Sequence, residues 1–312
     1  MQNLNAIKKR IKSVTDISQM TNAMQLVSSA KMRRSMALHD SVFPFFSLCA
    51  ESMQEIRKHA GEIDNPFFSL KQKSEGETWK IGYFVLSGDQ GLAGAYNNNM
   101  VKITEEHVNR KILENTRKGL STDYTLYVFG KLAREKLIRN GYKVDTDFSF
   151  PISEPTYYQA RNVGSIIKNK FLNHELDLVY LLYTNMESSI SMVPMALRLL
   201  PLDMKALTTV LPADLEDAGL AMEKGATVEY SPNPAFVFDY LIDTYVNAMI
   251  YGAMVEAYAS EQTARLTAMQ NATDNAEEML KELELMSNRA RQAKITTELT
   301  EIINGAEQAN NL

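Results

Sequence analysis

The chain has 312 residues, a net charge of −5 at neutral pH and 45% hydrophobic residues. This composition is typical of a soluble globular protein, and the acidic balance argues against an overall attraction to nucleic acid. The single cysteine, Cys49, excludes an internal disulfide and a cysteine-based metal cluster, and it indicates a reducing cytoplasm. The four histidines show no ligand spacing, so we expect no metal site. We expect no signal peptide, because the first residues have no apolar core, and no apolar run reaches the roughly 20 residues of a membrane span.

The first predicted element is a long helix within residues 1–60. Its apolar residues recur every three or four positions, as on one face of a coiled-coil helix: Leu4, Ile7, Ile11, Val14, Ile17, Met20, Met24 and Val27. The extra three-residue steps in this seam predict a local overwinding, called a stammer. Pro44 is expected to kink or break the helix because it lacks an N–H donor, and Gly61 and Pro66 should end it.

Residues 61–231 change character and predict a globular domain. Segments rich in β-branched and aromatic residues predict strands at 80–86, 125–130 and 177–183. Helical patterns predict helices at about 97–115, 131–140 and about 157–173. Strands that alternate with helices predict a parallel, three-layer, Rossmann-like α/β domain. Two more short strands are expected at 205–211 and 226–230.

A second very long helix is predicted within the last segment, residues 232–312. Asn233 is a suitable N-cap and Pro234 suits the first helical position. At 1.5 Å per residue this helix would span on the order of 110 Å. A domain of about 170 residues has a radius of gyration of only about 15 Å, so much of the helix needs another partner. We therefore predict that the first and last helices pair as an antiparallel coiled coil.

Charge favours one register for this pairing. The basic residues near the start should face acidic residues of the last helix: Lys8, Lys9, Arg10 and Lys12 against Glu277, Glu278, Glu282 and Glu284. Exposed pairs contribute only about 0–1 kcal/mol each, so they would specify the register more than the stability. In this register the last residues, about 295–312, extend past the first helix as a single helix without lysine or arginine.

A glycine-rich turn at residues 87–94, SGDQGLAG, follows the first predicted strand. A dinucleotide-binding fingerprint would have the spacing G-x-G-x-x-G and an acidic residue after a second strand, and this chain has neither. We favour a tight connection between a strand and a helix. No Walker-type phosphate loop occurs, so no nucleotide or other cofactor is expected.

The run Lys31-Met-Arg33-Arg34, which we call the basic collar, is the clearest charged motif. Nucleic-acid binding is disfavoured because no aromatic residue interleaves with these cations. An acidic surface of a partner protein is the favoured interpretation. The acidic pairs Asp145 with Asp147 and Glu282 with Glu284 are interpreted as solvated surface rather than as metal or acid-base sites.

Three stretches resemble a known family. They are residues 11–34, IKSVTDISQMTNAMQLVSSAKMRR; residues 86–97, LSGDQGLAGAYN; and residues 259–276, ASEQTARLTAMQNATDNA, which continue into NRARQAKITTELTEII at 288–303. Together they resemble the gamma subunit of bacterial F-type ATP synthases. The resemblance implies a non-catalytic central-stalk rotor shaft that couples ion (proton) flow to ATP synthesis. It further implies the alpha and beta subunits, the epsilon subunit and the c-ring as partners, and a peripheral location at the cytoplasmic face of the inner membrane.

The resemblance also implies roles for single residues. Met24 matches the shaft methionine close to the beta-subunit lever, and Arg265 matches the arginine of the Ala-Ser-Glu-Gln-x-x-Arg motif. Gln292, Thr296 and Glu298 match polar positions that meet the catalytic ring. With the basic collar, these residues form the predicted contacts between rotor and stator.

The chain departs from the family pattern at Gln90 and Ala93, where arginine and cysteine are common, and at Asn22 and Gln25, where lysines are common. Two other interpretations remain at this stage. One is a structural coiled-coil adaptor with a ligand-free α/β domain, which would not require the C-terminal motif. The other is a nucleotide-binding enzyme built on the middle domain, which the missing phosphate loop disfavours.

Overall fold

The computed structural model describes residues 4–61, 63–151, 154–186, 191–203 and 229–310. The first and last elements of the chain are two very long helices, α1 (Leu4–Ala60) and α5 (Pro234–Asn310), and all other elements lie between them in the sequence. The chain divides into two compact units. The helix-pair unit contains residues 1–29 and 265–312, and the α/β unit contains residues 30–264. The compact units divide within α1 and α5, whereas the predicted domains, 1–60, 61–231 and 232–312, keep each long helix whole and stay a prediction.

The elements between α1 and α5 follow the predicted alternation of strands and helices. In chain order they are β1 (Thr78–Leu86), α2 (Tyr96–Arg117), β2 (Ser121–Phe129), α3 (Lys131–Arg139), α4 (Tyr157–Leu172), β3 (Leu178–Met186) and β4 (Met192–Leu200). The start of α4 shows why these segments form where they do. Thr156 Oγ1 accepts the Gln159 N–H, and the Gln159 side chain accepts the Thr156 N–H, which is a complete capping box.

The sheet has the strand order β2-β1-β3-β4. β1 runs parallel to β2 and to β3, but β4 runs antiparallel to β3. The prediction of a parallel sheet is therefore wrong for β4. The sequence analysis also predicted no strand at 192–200. β4 contains Pro194 and Arg198, and both are unusual in a buried strand. The expected strand at 205–211 lies outside the described residues, and so does most of 226–230.

Successive side chains of β1 point alternately into two apolar layers, one on each face of the sheet. On one face Ile81, Tyr83 and Val85 pack with residues of α2 and α3. On the other face Phe84 and Leu86 pack with α4 and with the parts of α1 and α5 that belong to the α/β unit. These two layers confirm the predicted three-layer α/β architecture.

The helix α1 continues through Pro44, so the predicted break is wrong. Proline removes one hydrogen bond and clashes with the preceding turn, which costs about 3 kcal/mol. Contacts made further along the helix offset this cost, since Ala50, Met53 and Ile56 lie in the apolar core of the α/β unit. The helix ends as predicted at Gly61, which adopts a φ of +82°.

Candidate functional site

The helix-pair unit has an apolar seam at one end. Ile7 and Val14 of α1 are buried together with Ala276 and Leu283 of α5, and Ile11, Leu280 and Ala290 pack around them. Residues near the start of α1 thus meet residues near the end of α5. This contact confirms the predicted antiparallel pairing.

Further along the pair, the seam becomes polar. The buried hydroxyls of Thr21 and Thr273 are 2.7 Å apart, and the Gln25 side chain donates to Gln270. Ser28 is also buried. Ile7, Val14, Thr21 and Ser28 follow one another at intervals of seven residues, so the seam is a regular heptad. The predicted stammer is wrong because small polar residues, rather than the next apolar ones, occupy the contact.

The apolar residues that the stammer assigned to the seam lie on the surface instead. Ile17, Met20 and Val27 are about half exposed (45%, 58% and 54%), and Met24 is partly buried. Their three- and four-residue spacing places them on one side of α1. We call these four residues the outward stripe. Contiguous exposed apolar residues of this kind mark surfaces that contact another protein.

The predicted charge pairs do not form. Among the described residues, no ion pair within 4.0 Å joins the basic residues 8–12 to the acidic residues 277–284. The register is correct, but apolar contacts and the Thr21–Thr273 hydrogen bond establish it. Exposed lysine and glutamate side chains remain solvated because ordering them costs about as much as their attraction supplies.

The end of α5 extends past its partner as a single helix, as predicted. Every side chain from 291 to 304 is exposed, including Ile295, Leu299 and Ile302. Its threonine hydroxyls are hydrogen-bonded within the helix. Those of Thr296, Thr297 and Thr300 each donate to the carbonyl four residues earlier, at 3.0, 2.9 and 2.8 Å. From residue 295 onward this segment has no lysine or arginine, and its threonines need no external hydrogen-bond partner.

The predicted contact residues of the helix-pair unit occupy different environments. Gln292, Thr296 and Glu298 lie on the exposed end, where Glu298 pairs with Lys294 at 3.6 Å. Arg265 is only 4% exposed. The sequence resemblance grouped Arg265 with the surface residues, but its burial separates it from them.

The basic collar belongs to the α/β unit. Arg33 and Arg34 are exposed, and Lys31 is partly exposed. Arg34 approaches Glu154 at 3.8 Å, but both side chains are largely in solvent, so this pair contributes little. Lys31 and Arg34 also line a cavity of about 300 Å³ with three tyrosines, Tyr157, Tyr251 and Tyr258. The collar keeps its cations available for an external acidic group.

A titratable contact joins α1 to α5 within the α/β unit, and no pattern in the sequence predicts it. His39 Nε2 lies 3.0 Å from Glu256 Oε1, and Asp40 is 3.3 Å from the other ring nitrogen. The hydrogen bond to Glu256 is the main reason why the pKa of His39 is raised above 6.5. The other Glu256 oxygen, Oε2, is buried without a partner among the described residues. The protonated imidazole therefore offsets a poorly solvated carboxylate.

We expect replacement of His39 by glutamine to destabilise the α/β unit at low pH more than at high pH. A raised pKa means that the folded state holds the proton more tightly than the unfolded state. The stabilisation is complete below pH 6.5 and disappears as the pH rises through the raised pKa. Urea unfolding of wild type and His39→Gln between pH 5.5 and 9 measures this difference, with Asp40→Asn as the control. A stability difference that does not change with pH would contradict the assignment.

The glycine-rich turn connects β1 to α2, as the favoured interpretation expected. Ser87 Oγ donates to the Phe129 carbonyl at 2.5 Å, and the Gly88 N–H donates to Asn97 Oδ1 at 2.8 Å. Asp89 accepts the first N–H of α3, from Lys131, at 3.0 Å. The turn is thus fixed by the ends of its own neighbouring elements.

Part of α5 lies at the carboxyl ends of the parallel strands, which is where nucleotide-binding folds hold their ligands. Ser260 Oγ donates to the Thr184 carbonyl at 3.2 Å, and Tyr96 donates to the Ala257 carbonyl at 3.0 Å.

Within the described ranges, no group of three metal-ligating side chains is placed to hold a metal ion. None of the described helices combines the length and apolar character of a membrane crossing.

Comparison with known proteins identifies the family. The sequence model of the ATP synthase family matches residues 3–308. The ATP synthase gamma chain of Acetivibrio thermocellus is 37% identical over 98% of this chain and 99% of its own length. The chain belongs to the ATP synthase gamma chain family. This membership confirms the resemblance drawn from the three sequence stretches and the central-stalk role that it implied.

Other members of the gamma chain family and their structural neighbours agree. The sodium ion specific gamma chain of Acetobacterium woodii is 36% identical over 99% of both chains. A chain from the central stalk and c-ring structure of the Tetrahymena thermophila mitochondrial ATP synthase has a TM-score of 0.54 at 20% identity. The match covers 81% of this chain and 99% of that one, and it supports the fold of two long helices with an α/β domain.

Proposed function

We propose that this gamma chain acts as a rotating shaft that couples ion (proton) flow through a c-ring to ATP synthesis in a ring of alpha and beta subunits. It would perform no chemistry itself. The observation that carries this proposal is the antiparallel helix pair, which combines an outward apolar stripe with a single-helix end. A shaft of this kind transmits force through its surface contacts, so its function requires surfaces rather than a catalytic pocket.

The two surfaces of the helix-pair unit suit different mechanical tasks. The outward stripe lies where α1 and α5 are paired, and a paired segment resists bending and twisting better than one helix. The exposed end of α5 carries Gln292, Thr296 and Glu298, has no lysine or arginine beyond residue 294, and bonds its threonine hydroxyls within the helix. We assign the paired segment, including Met24, to force transfer and the single-helix end to a bearing inside the ring.

The basic collar would supply the electrostatic part of the contact with the alpha and beta subunits. Lys31, Arg33 and Arg34 are the cations for an acidic lever of a beta subunit, since their charges are not neutralised by strong internal pairs. For Arg265 we propose an indirect role. A guanidinium that is 4% exposed can support the position of α5 but offers little surface to a stator.

The α/β domain has partners of its own in this proposal. We propose that it contacts the epsilon subunit and the c-ring, at the cytoplasmic face of the bacterial inner membrane. The crevice at the carboxyl ends of its strands is filled by α5, which is consistent with a structural rather than a nucleotide-binding domain.

The test is the replacement of Met24 by lysine in the assembled enzyme. A new cation on the outward stripe would pair with an acidic lever at only some rotor angles, which deepens those states and raises the barrier between them. A pair worth about 1.4 kcal/mol changes the rate of leaving a state about tenfold. We therefore expect ATP-driven ion pumping to fall several-fold more than ATP hydrolysis in membrane vesicles, while assembly is retained.

Met24→Leu is the matched control, because it keeps the volume and the apolar character of the side chain. We expect its ratio of pumping to hydrolysis to equal that of wild type. Wild-type coupling in Met24→Lys, in a complex that contains the variant chain, would refute the assignment of the outward stripe. Failure of the wild-type chain to co-purify with alpha and beta subunits would refute the shaft itself.

A further inference from the structure

The topology of the sheet places a crevice between β1 and β3. β1 lies between β2 and β3, and all three strands run in the same direction. The connecting helices α2 and α4 pack on opposite faces of the sheet. The chain thus moves from β1 to β2 on one side and then to β3 on the other side, so the direction of winding reverses at β1. In doubly wound folds such a reversal opens a crevice at the carboxyl ends of the strands, and ligands bind there.

In this chain the occupant of the crevice is part of α5. Tyr96, in the first turn of α2, donates its hydroxyl to the Ala257 carbonyl at 3.0 Å, and Ser260 donates to the Thr184 carbonyl of β3 at 3.2 Å. Ala257, Ser260 and Glu261 are all buried. One turn of α5 therefore contacts β3 and the start of α2, the helix that follows β1.

Glu261 and Gly88 approach each other closely. A Cβ atom built on Gly88 would lie 2.6 Å from both Cδ and Oε1 of Glu261 and 3.1 Å from Oε2. The Glu261 carboxyl group thus rests directly on the glycine-rich turn, where a dinucleotide-binding fold would place its phosphates. Gly88 does not have a left-handed φ, so this close approach is what requires glycine there.

We propose that Gly88 and Glu261 form a lock that fixes α5 to the α/β domain and passes torque from the domain into the shaft. The inference rests on the proposed function. The turn after β1 is hydrogen-bonded to α2 through the Asn97 side chain and to the start of α3 through its own Asp89, so a force on the domain can reach this turn. α5 is one continuous helix from Pro234 to Asn310, so a force applied at Glu261 is transmitted along it. Glu261 is a positioning residue in this scheme.

The lock is tested on the free chain with a double-mutant cycle read by hydrogen exchange. Gly88→Ala should speed exchange of the turn amides at 88–91 about tenfold, because the new methyl group displaces Glu261. Glu261→Ala should also speed exchange, because it removes the group that covers the turn. The double variant should exchange no faster than Glu261→Ala alone, since the methyl group then has nothing to displace.

Gly91→Ala is the matched control. It lies in the same turn, but a Cβ atom there has nothing within 4 Å, so exchange should stay within about twofold of wild type. Additive effects of Gly88→Ala and Glu261→Ala would overturn the lock. Because this readout uses the free chain, it is independent of the shaft proposal.

The mechanical part is tested in the assembled enzyme. Gly88→Ala should lower ATP-driven ion pumping per ATP hydrolysed at least twofold, whereas Gly91→Ala should leave this ratio unchanged. Wild-type coupling in a Gly88→Ala enzyme whose turn amides exchange faster would show that torque passes elsewhere, and the proposal would fail while the shaft assignment stands.

Discussion

Replacement of Gly130 by alanine is expected to destabilise the α/β unit strongly. Gly130 connects β2 to α3 with a φ of +81°, and a Cβ atom there would lie 2.2 Å from the Ser87 carbonyl oxygen and 2.8 Å from that of Gly88. Both obstacles are backbone atoms of the neighbouring turn, so neither can rotate away. Because the left-handed conformation alone costs about 1–2 kcal/mol, the total loss should exceed about 3 kcal/mol. Soluble yield, near-ultraviolet circular dichroism and urea unfolding measure it.

Gly141 supplies the control for this prediction. It has nearly the same φ, +82°, but a Cβ atom there meets nothing within 4 Å. Gly141→Ala should therefore cost only the conformational strain, about 1–2 kcal/mol, and should give a folded protein. Equal losses for the two substitutions would mean that backbone conformation, and not the contact with the turn at Ser87, determines the requirement for glycine.

Truncation of α5 after Asn288 is expected to have the largest effect on the assembled enzyme. The deletion removes Ala290, which packs on the apolar seam of the helix pair, and Ala293, which lines a groove with Leu4 and Ile7. Without them the first turns of α1 lose their partner, and an unsupported helix end frays. The bearing surface disappears as well. We expect assembly to weaken and ATP turnover in the remaining complex to fall about tenfold or more, which corresponds to about 1.4 kcal/mol.

Deletion of residues 305–312 is the matched control. The described contacts of the helix pair all lie before this segment, so assembly and most of the hydrolytic turnover should remain. Subunit content after purification and ATP hydrolysis at saturating ATP measure both variants. Loss of turnover after the short deletion, in a complex that still assembles, would make the tip a drive element and would refute the bearing assignment.

Much of the α/β unit was predictable because its elements have strong local patterns. β1, β2 and β3 each contain a run of mostly apolar residues, at 81–86, 126–129 and 178–183, as the buried parts of parallel strands require. β4 was missed because Pro194 and Arg198 interrupt its pattern, and an edge strand can accept both. Pro44 shows the opposite error. Its local preference against a helix is real, but contacts made by Met53 and Ile56 outweigh it.

The contact surface of the helix pair was predicted only in part. Apolar spacing alone placed Ile17, Met20 and Val27 in the seam, because a coiled coil usually buries its apolar residues. The structure buries Thr21 instead, since its hydroxyl finds a partner in Thr273. A strict seven-residue interval from Ile7 was the available signal. This interval was overlooked because Thr21 and Ser28, which continue it, are polar, and polar residues are normally assigned to the surface.

The sequence by itself determined the family, the two long helices, the alternation of strands and helices and the antiparallel register. The first three depend on local periodicity, on end signals such as Gly61 and on motifs whose own residues are close together in the chain, and the register follows from how charge is distributed along the two helices. Only the tertiary structure decided which apolar residues are exposed, that Arg265 is buried and that Glu261 rests on Gly88. The physical reason is that burial and close approach depend on which distant segment arrives at a residue, and a one-dimensional pattern does not contain the position of that segment.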